Sequence, residues 1–235
     1  MPTELPVRDE WITVGAPDGR FDAYLVRPPA GRGPGLLLLQ EIFGVNAHIR
    51  AVAGQYALAG FTVLAPDLFW REAPRVELGY VGADRERALA LMRTLTREQA
   101  EADLRAGVAA LRARPECDAR VGAIGYCMGG RLAFLAAARA GVDAAVCYYG
   151  GGIAGQLELA SELRVPLQFH HAGQDASIPP EAVAAIRGAL AGADAEFHDY
   201  PEAQHGFNCW ARATYHPASA AAALGRSVSF LARLF

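Results

Sequence analysis

The hydrophobic and polar positions along the chain fall into short runs of two kinds, and their order predicts most of the architecture. Trp11–Ala16 and Phe21–Val26 are β-rich segments separated by Pro17-Asp18-Gly19, a turn signal, and predict an antiparallel opening hairpin. After a Pro/Gly-rich connector, Pro28–Gly35, the run Leu36–Leu39 is apolar without interruption, which suits a strand covered on both faces. From there the pattern alternates. Asn46–Ala59 predicts a helix, Phe61–Ala65 a strand, and Arg85–Thr94 and Arg97–Ala113 helices with charged outer faces. Arg120–Ile124 predicts a strand, Gly129–Ala140 a helix rich in Ala and Leu, and Ala144–Tyr149 and Pro166–His171 two further strands. Pro180–Leu190 predicts a helix opened by proline, whose missing N–H costs little in a first turn. Ala195–Tyr200 predicts a strand and Pro217–Phe235 a terminal helix. A hairpin followed by repeated β-α units implies the α/β class: a mostly parallel central sheet, antiparallel at its N-terminal strands, with helices on both faces. No internal repeat and no long linker divides the chain, so residues 1–235 are expected to form one domain.

Composition removes several function classes. A chain of 235 residues with 52% hydrophobic content excludes disorder and needs no disulfide or metal staples to make a core. A net charge of −3 offers no broad basic field for a phosphate backbone, so no nucleic-acid partner is expected. All 22 cations are arginine, which excludes a Schiff-base lysine and a P-loop lysine. The charged start, Met1–Glu10, does not resemble a signal peptide, and the Leu36–Leu39 run is far short of a membrane span. Cys117, Cys127, Cys147 and Cys209 show neither C-x-x-C spacing nor companion histidines at zinc-ligand spacing. They read as reduced thiols of a cytoplasmic protein, with no metal and no cofactor expected.

Candidate chemistry begins at Gly125-Tyr126-Cys127-Met128-Gly129-Gly130, between a predicted strand and a predicted helix. This is the nucleophile-elbow pattern G-x-S-x-G with cysteine in place of serine. A sharp turn there exposes the nucleophile, the glycines admit neighbouring backbone, and the Met128 N–H at the helix start can donate to a developing oxyanion. Such an elbow needs an acid and then a histidine on later strand-end loops. Asp175 follows Pro166–His171, and His205 follows Ala195–Tyr200. Singly, Cys127 reads equally as a buried structural cysteine, Asp175 as a turn aspartate and His205 as a loop histidine; the joint placement favours a triad. Glu41 directly follows the buried Leu36–Leu39 strand, where a carboxylate is expensive unless paired or protonated; spacing alone leaves a capping or salt-bridging role open. The pair His170-His171 reads as core packing, Asp67 as a loop-stabilising carboxylate, and Arg85 with Arg87 as part of a solvated helix face.

Taken together, QEIFGVN (Gln40–Asn46), APDLF (Ala65–Phe69), GYCMGG (Gly125–Gly130), YYG (Tyr148–Gly150), GQD (Gly173–Asp175) and HGF (His205–Phe207) resemble the dienelactone hydrolase (carboxymethylenebutenolidase) family of α/β-hydrolases. The resemblance implies Cys127 as nucleophile, His205 as base and Asp175 as its orienter. It implies that Glu41 takes the thiol proton when substrate arrives, and that the backbone N–H groups of Ile42 and Met128 hold the oxyanion. It also implies arginines and a serine around a substrate carboxylate. Here the serine position is Gly206, an expected arginine position is Cys209, and Arg87 is the match for the remaining arginine. The expected function is hydrolysis of a small lactone or ester through a thioester acyl-enzyme, with dienelactone giving maleylacetate as the named reaction of aromatic degradation. Gly206 and Cys209 keep a broader carboxylesterase open, and a binding or sensing module without turnover is a third reading. The expected partner is a small-molecule substrate, with no membrane, for a monomer or small homo-oligomer.

Overall fold

The computed structural model describes residues 7–235; the first six residues of the charged Met1–Glu10 segment lie outside them. Its core is one eight-stranded sheet in the order β1-β2-β4-β3-β5-β6-β7-β8. The strands are β1 (Arg8–Ala16), β2 (Gly19–Arg27), β3 (Gly33–Leu39), β4 (Thr62–Pro66), β5 (Cys117–Tyr126), β6 (Ala144–Tyr148), β7 (Leu167–Ala172) and β8 (Ala195–Tyr200). The expected hairpin is β1–β2, closed at the Ala16–Gly19 pair, and β2 joins β4 antiparallel. Every other pairing is parallel.

The uninterrupted leucines of β3 explain the layering. Successive strand residues point to opposite faces, so Leu37 and Leu39 enter one core while Leu36 and Leu38 enter the other. All four are 0% exposed. The helices are α1 (Ala47–Leu58), α2 (Gly82–Thr94), α3 (Arg97–Arg112), α4 (Met128–Arg139), α5 (Pro180–Ala189) and α6 (Pro217–Leu234). Helices α3 and α4 cover the first face, α1 and α6 the second. Local chemistry sets their starts. The Asn46 Oδ1 accepts from the Ile49 N–H at 3.2 Å to cap α1, and Thr96 and Gln99 cap α3 reciprocally.

Four elements start three residues ahead of the pattern reading: β1 at Arg8, β3 at Gly33, β5 at Cys117 and α2 at Gly82. Strand β5 begins at Cys117, three residues before Arg120, because its register shifts between Gly33 and Gly35 and Ala119 adopts φ 70°, a bulge that breaks the hydrophobic alternation. Helix α2 begins at Gly82 rather than Arg85, in a stretch exposed enough to carry no periodic signal. The smaller polar expectations hold in place: Asp67 accepts from the Phe69 and Arg75 N–H groups. His170 is buried against Tyr200, Gln168 and Ser227.

Candidate active site

Four strand ends converge on the site. Glu41 lies just past β3, Cys127 just past β5, Asp175 in the loop after β7 and His205 in the loop after β8, which is where crevices form in sheets of this class. Cys127 sits at φ 58°, ψ −114°, immediately before α4. For a non-glycine residue that conformation costs about 1–3 kcal/mol and persists only where the surroundings enforce it. The enforcement is visible. A Cβ at Gly125 would lie 1.9 Å from the Gly129 carbonyl oxygen, and one at Gly129 would lie 2.1 Å from that of Leu39. The Cys127 N–H is held by the Tyr148 carbonyl at 3.1 Å, and its own carbonyl accepts from Gly130 at 3.0 Å.

His205 Nδ1 lies 2.7 Å from Asp175 Oδ2, whose side chain is fully buried. The other Asp175 oxygen accepts from the Ser177 N–H at 2.8 Å, so the carboxylate is fixed from both sides. Burial pulls the His205 pKa down, but hydrogen bonds to Asp175 and Cys127 outweigh it and push it up to about 10. Tyr149, itself at φ 35°, sets its ring edge-on to the imidazole with centroids 5.1 Å apart. A cavity of about 480 Å³ opens over Cys127 and His205, and Ile42 and Met128 line it. Met128 starts α4, so its N–H belongs to the first turn, which has no intrahelical acceptor.

Glu41 is 1% exposed. Its Oε1 accepts from Arg212 Nη1 at 2.9 Å, while Oε2 has no partner. Burial raises the Glu41 pKa against the opposing pull of Arg212 and His205. Arg212 is the residue that sequence reasoning missed. It lies seven residues beyond His205 and 171 from its carboxylate partner, so no local signal links them. Gly206 is the structural counterpart of that arginine. At φ 79°, a Cβ on it would sit 2.3 Å from Arg212 Nη1. Gly206 therefore makes room for Arg212.

The arginine expected on α2 is also displaced. Arg85 and Arg87 are both exposed, but of the two only Arg85 lines the cavity wall. Two residues rotate about 200° around a helix, so both cannot face the same way. Glu41, His48 and Cys209 bring one ligand-type atom each within 4.8 Å of one another, a grouping that spacing could not reveal. Arg212 already supplies the positive charge at Glu41, and a divalent ion would have to displace it.

A mostly parallel sheet with a strained elbow between β5 and α4 and an Asp–His pair at later strand ends defines an α/β-hydrolase. The chain matches the dienelactone hydrolase family over residues 21–235 and belongs to it. It is 37% identical over 217 residues to the carboxymethylenebutenolidase of Pseudomonas sp. (strain P51), covering 92% of this chain and 91% of that one. It is 37% identical over 228 residues to that of Pseudomonas putida, covering 96% and 97%. The crystal structure of a putative dienelactone hydrolase from Klebsiella pneumoniae subsp. pneumoniae MGH 78578 superposes with a TM-score of 0.84 at 30% identity, over 96% of this chain and 98% of that one. The protein is thus a hydrolase acting on ester or lactone bonds. No helix among the described residues is long and apolar enough to cross a membrane.

Proposed function

We propose that the chain hydrolyses a small anionic lactone or ester through a thioester on Cys127, with dienelactone giving maleylacetate as the leading reaction. The observation that carries the reading is the meeting of a strained Cys127 with the buried His205–Asp175 pair in a cavity lined by arginines and by no carboxylate. Thiolate is the reactive form of cysteine. The thiol proton passes to Glu41, whose free Oε2 and burial-raised pKa suit an acceptor. The resulting thiolate is balanced by the His205 imidazolium that Asp175 supports. Sulfur attacks the carbonyl, and the Ile42 and Met128 N–H groups receive the oxyanion. Collapse breaks the ring C–O bond, the leaving oxygen takes a proton from the imidazolium, and the acyl group stays on sulfur. His205 then takes a proton from water, hydroxide attacks the thioester, and the acid leaves as the thiolate recovers its proton.

Arg85 is the cation assigned to the substrate carboxylate, in place of Arg87. The unpaired cysteines suit a reducing, cytoplasmic setting. A broader carboxylesterase is the second reading, favoured by the glycine at position 206. The test is kcat/KM on a dienelactone and on an uncharged activated aryl ester, with Cys127→Ala as blank. Loss of at least about 10³-fold in Cys127→Ala is expected. Preference for the dienelactone supports the anion-selective reading, and equal use of the neutral ester supports the esterase. Stoichiometric acylation without turnover would replace both with a sensing role.

A further inference from the structure

Among the described residues, three arginines line the cavity beside Cys127, Arg85, Arg131 and Arg212, and no aspartate or glutamate does. Arg212 is committed to Glu41. The other two differ from it. Arg71 and Arg187, on other parts of the molecule, bind carboxylates through paired hydrogen bonds. Among the described residues, no protein hydrogen bond or ion pair holds the guanidinium of Arg85 or of Arg131.

Arg131 is the less expected of the pair. It lies on α4 four residues after Cys127, one turn further along the same face, and is half-buried. The wall is shaped around it. Gly152 has φ 91°, and a Cβ there would stand 3.0 Å from Arg131 Nη1 and 3.1 Å from its Cδ. The Thr214 hydroxyl lines the same cavity, buried and without a partner. A half-buried guanidinium has given up hydration and, with no protein acceptor, recovers it only from a ligand. Arginine presents a planar fork that matches a carboxylate through two parallel hydrogen bonds.

We propose that Arg131 forms a second anion subsite, so that beside the singly charged dienelactone the cavity takes, and binds more tightly, dianions: lactones or esters whose acyl part carries two carboxylates, one taken by Arg85 and one by Arg131. This rests on the cavity being the substrate site, as proposed above, and adds a substrate class to it. A single substrate carboxylate leaves one of the two unpaired arginines without a partner.

Binding tests the subsite without requiring turnover. The full chain is titrated by calorimetry with succinate, glutarate and adipate, each against the monocarboxylate of equal length: butyrate, valerate and hexanoate. One dicarboxylate should bind at least about 10-fold more tightly than its partner, the size expected of one charge-assisted contact. Arg131→Gln should remove that ratio while leaving the monocarboxylate affinity within about twofold. Arg131→Lys keeps the charge but loses the fork, should retain part of the ratio, and carries the test if the glutamine variant does not fold. A wild-type ratio within about twofold for every pair, or an equal weakening of both members in Arg131→Gln, overturns the proposal. If Cys127-dependent hydrolysis is absent but the affinity ratio holds, the catalytic reading fails and the subsite stands.

Discussion

Two buried carboxylates face two arginines in this protein, and they are satisfied to different degrees. Asp103 is 0% exposed on the apolar stripe of α3. Its Oδ2 accepts from Trp70 Nε1 at 3.1 Å and Arg71 Nη1 at 2.8 Å, and its Oδ1 from Arg71 Nη2 at 3.0 Å. Glu41 is as deeply buried but has one bond to Arg212 and an orphan oxygen. Burial raises both pKa values, and arginine opposes it in both. The structural carboxylate is saturated and anchored; the one at the cavity retains an empty acceptor and a partner on a loop. An unsatisfied buried acceptor costs about 1–3 kcal/mol. That cost is tolerable where the oxygen has a proton to receive.

The comparison breaks most sharply at Glu41→Gln. Removing the proton acceptor should lower kcat/KM by about 10²–10⁴-fold, the usual range for a general base. The melting temperature should fall less than in Asp103→Ala, because the glutamine Oε1 can still accept from Arg212 although the pair loses its negative charge. A rate within threefold of wild type would remove Glu41 from the reaction.

Asp103→Ala should do the converse. Breaking a buried pair by removing one partner costs about 3–5 kcal/mol, since Arg71 and the Trp70 N–H lose their acceptor. Arg71 keeps its two bonds to Asp18, which places the loss toward the lower end. Denaturant midpoints should fall while kcat/KM per folded molecule stays unchanged. A proportional fall in activity would mean that the Trp70–Asp103 contact also positions the site.

The same contrast explains what was legible in the sequence. Asp175, His205 and Cys127 could be placed because Cys127 directly follows a strand and the other two lie on the loop after one, and strand ends are set by local hydrophobic pattern. The layering was legible for the same reason: four consecutive leucines must be covered on both faces. Arg212 was not, because its guanidinium reaches a carboxylate 171 residues away across space that a side chain at Gly206 would contest. Arg85 was passed over for Arg87 because a two-residue choice on a charged helix face is decided by rotation against the sheet, which composition does not encode. The β5 bulge was hidden for a related reason, since two extra residues interrupt the alternation that marks a strand.

The smallest expected effects lie in the pH dependence of stability, where the packed histidines and the site histidine pull in opposite directions. Burial holds His48 and His171 down to about 4, from an ordinary value of 6.5. The unfolded chain protonates them first as pH falls, so their contribution is complete above about 6.5 and is lost on the way down through about 4. Asp67, pushed up to about 6 by burial, acts with opposite sign over part of that range and offsets one of the two. His205 is raised to about 10, so its contribution is complete below 6.5 and is lost as pH rises through about 10. Denaturant midpoints from pH 4 to 10 should therefore describe a dome. His48→Phe, which keeps a ring against Trp210, should flatten only the acid limb, and His205→Gln only the alkaline one. Cys127→Ala should flatten the alkaline limb in part, because the Cys127 side chain is one of the two groups that raise the imidazole pKa. An alkaline limb unchanged in both site variants would mean that the Asp175–His205 pair carries no charge of its own in the resting protein, and that the imidazolium forms only when substrate is bound.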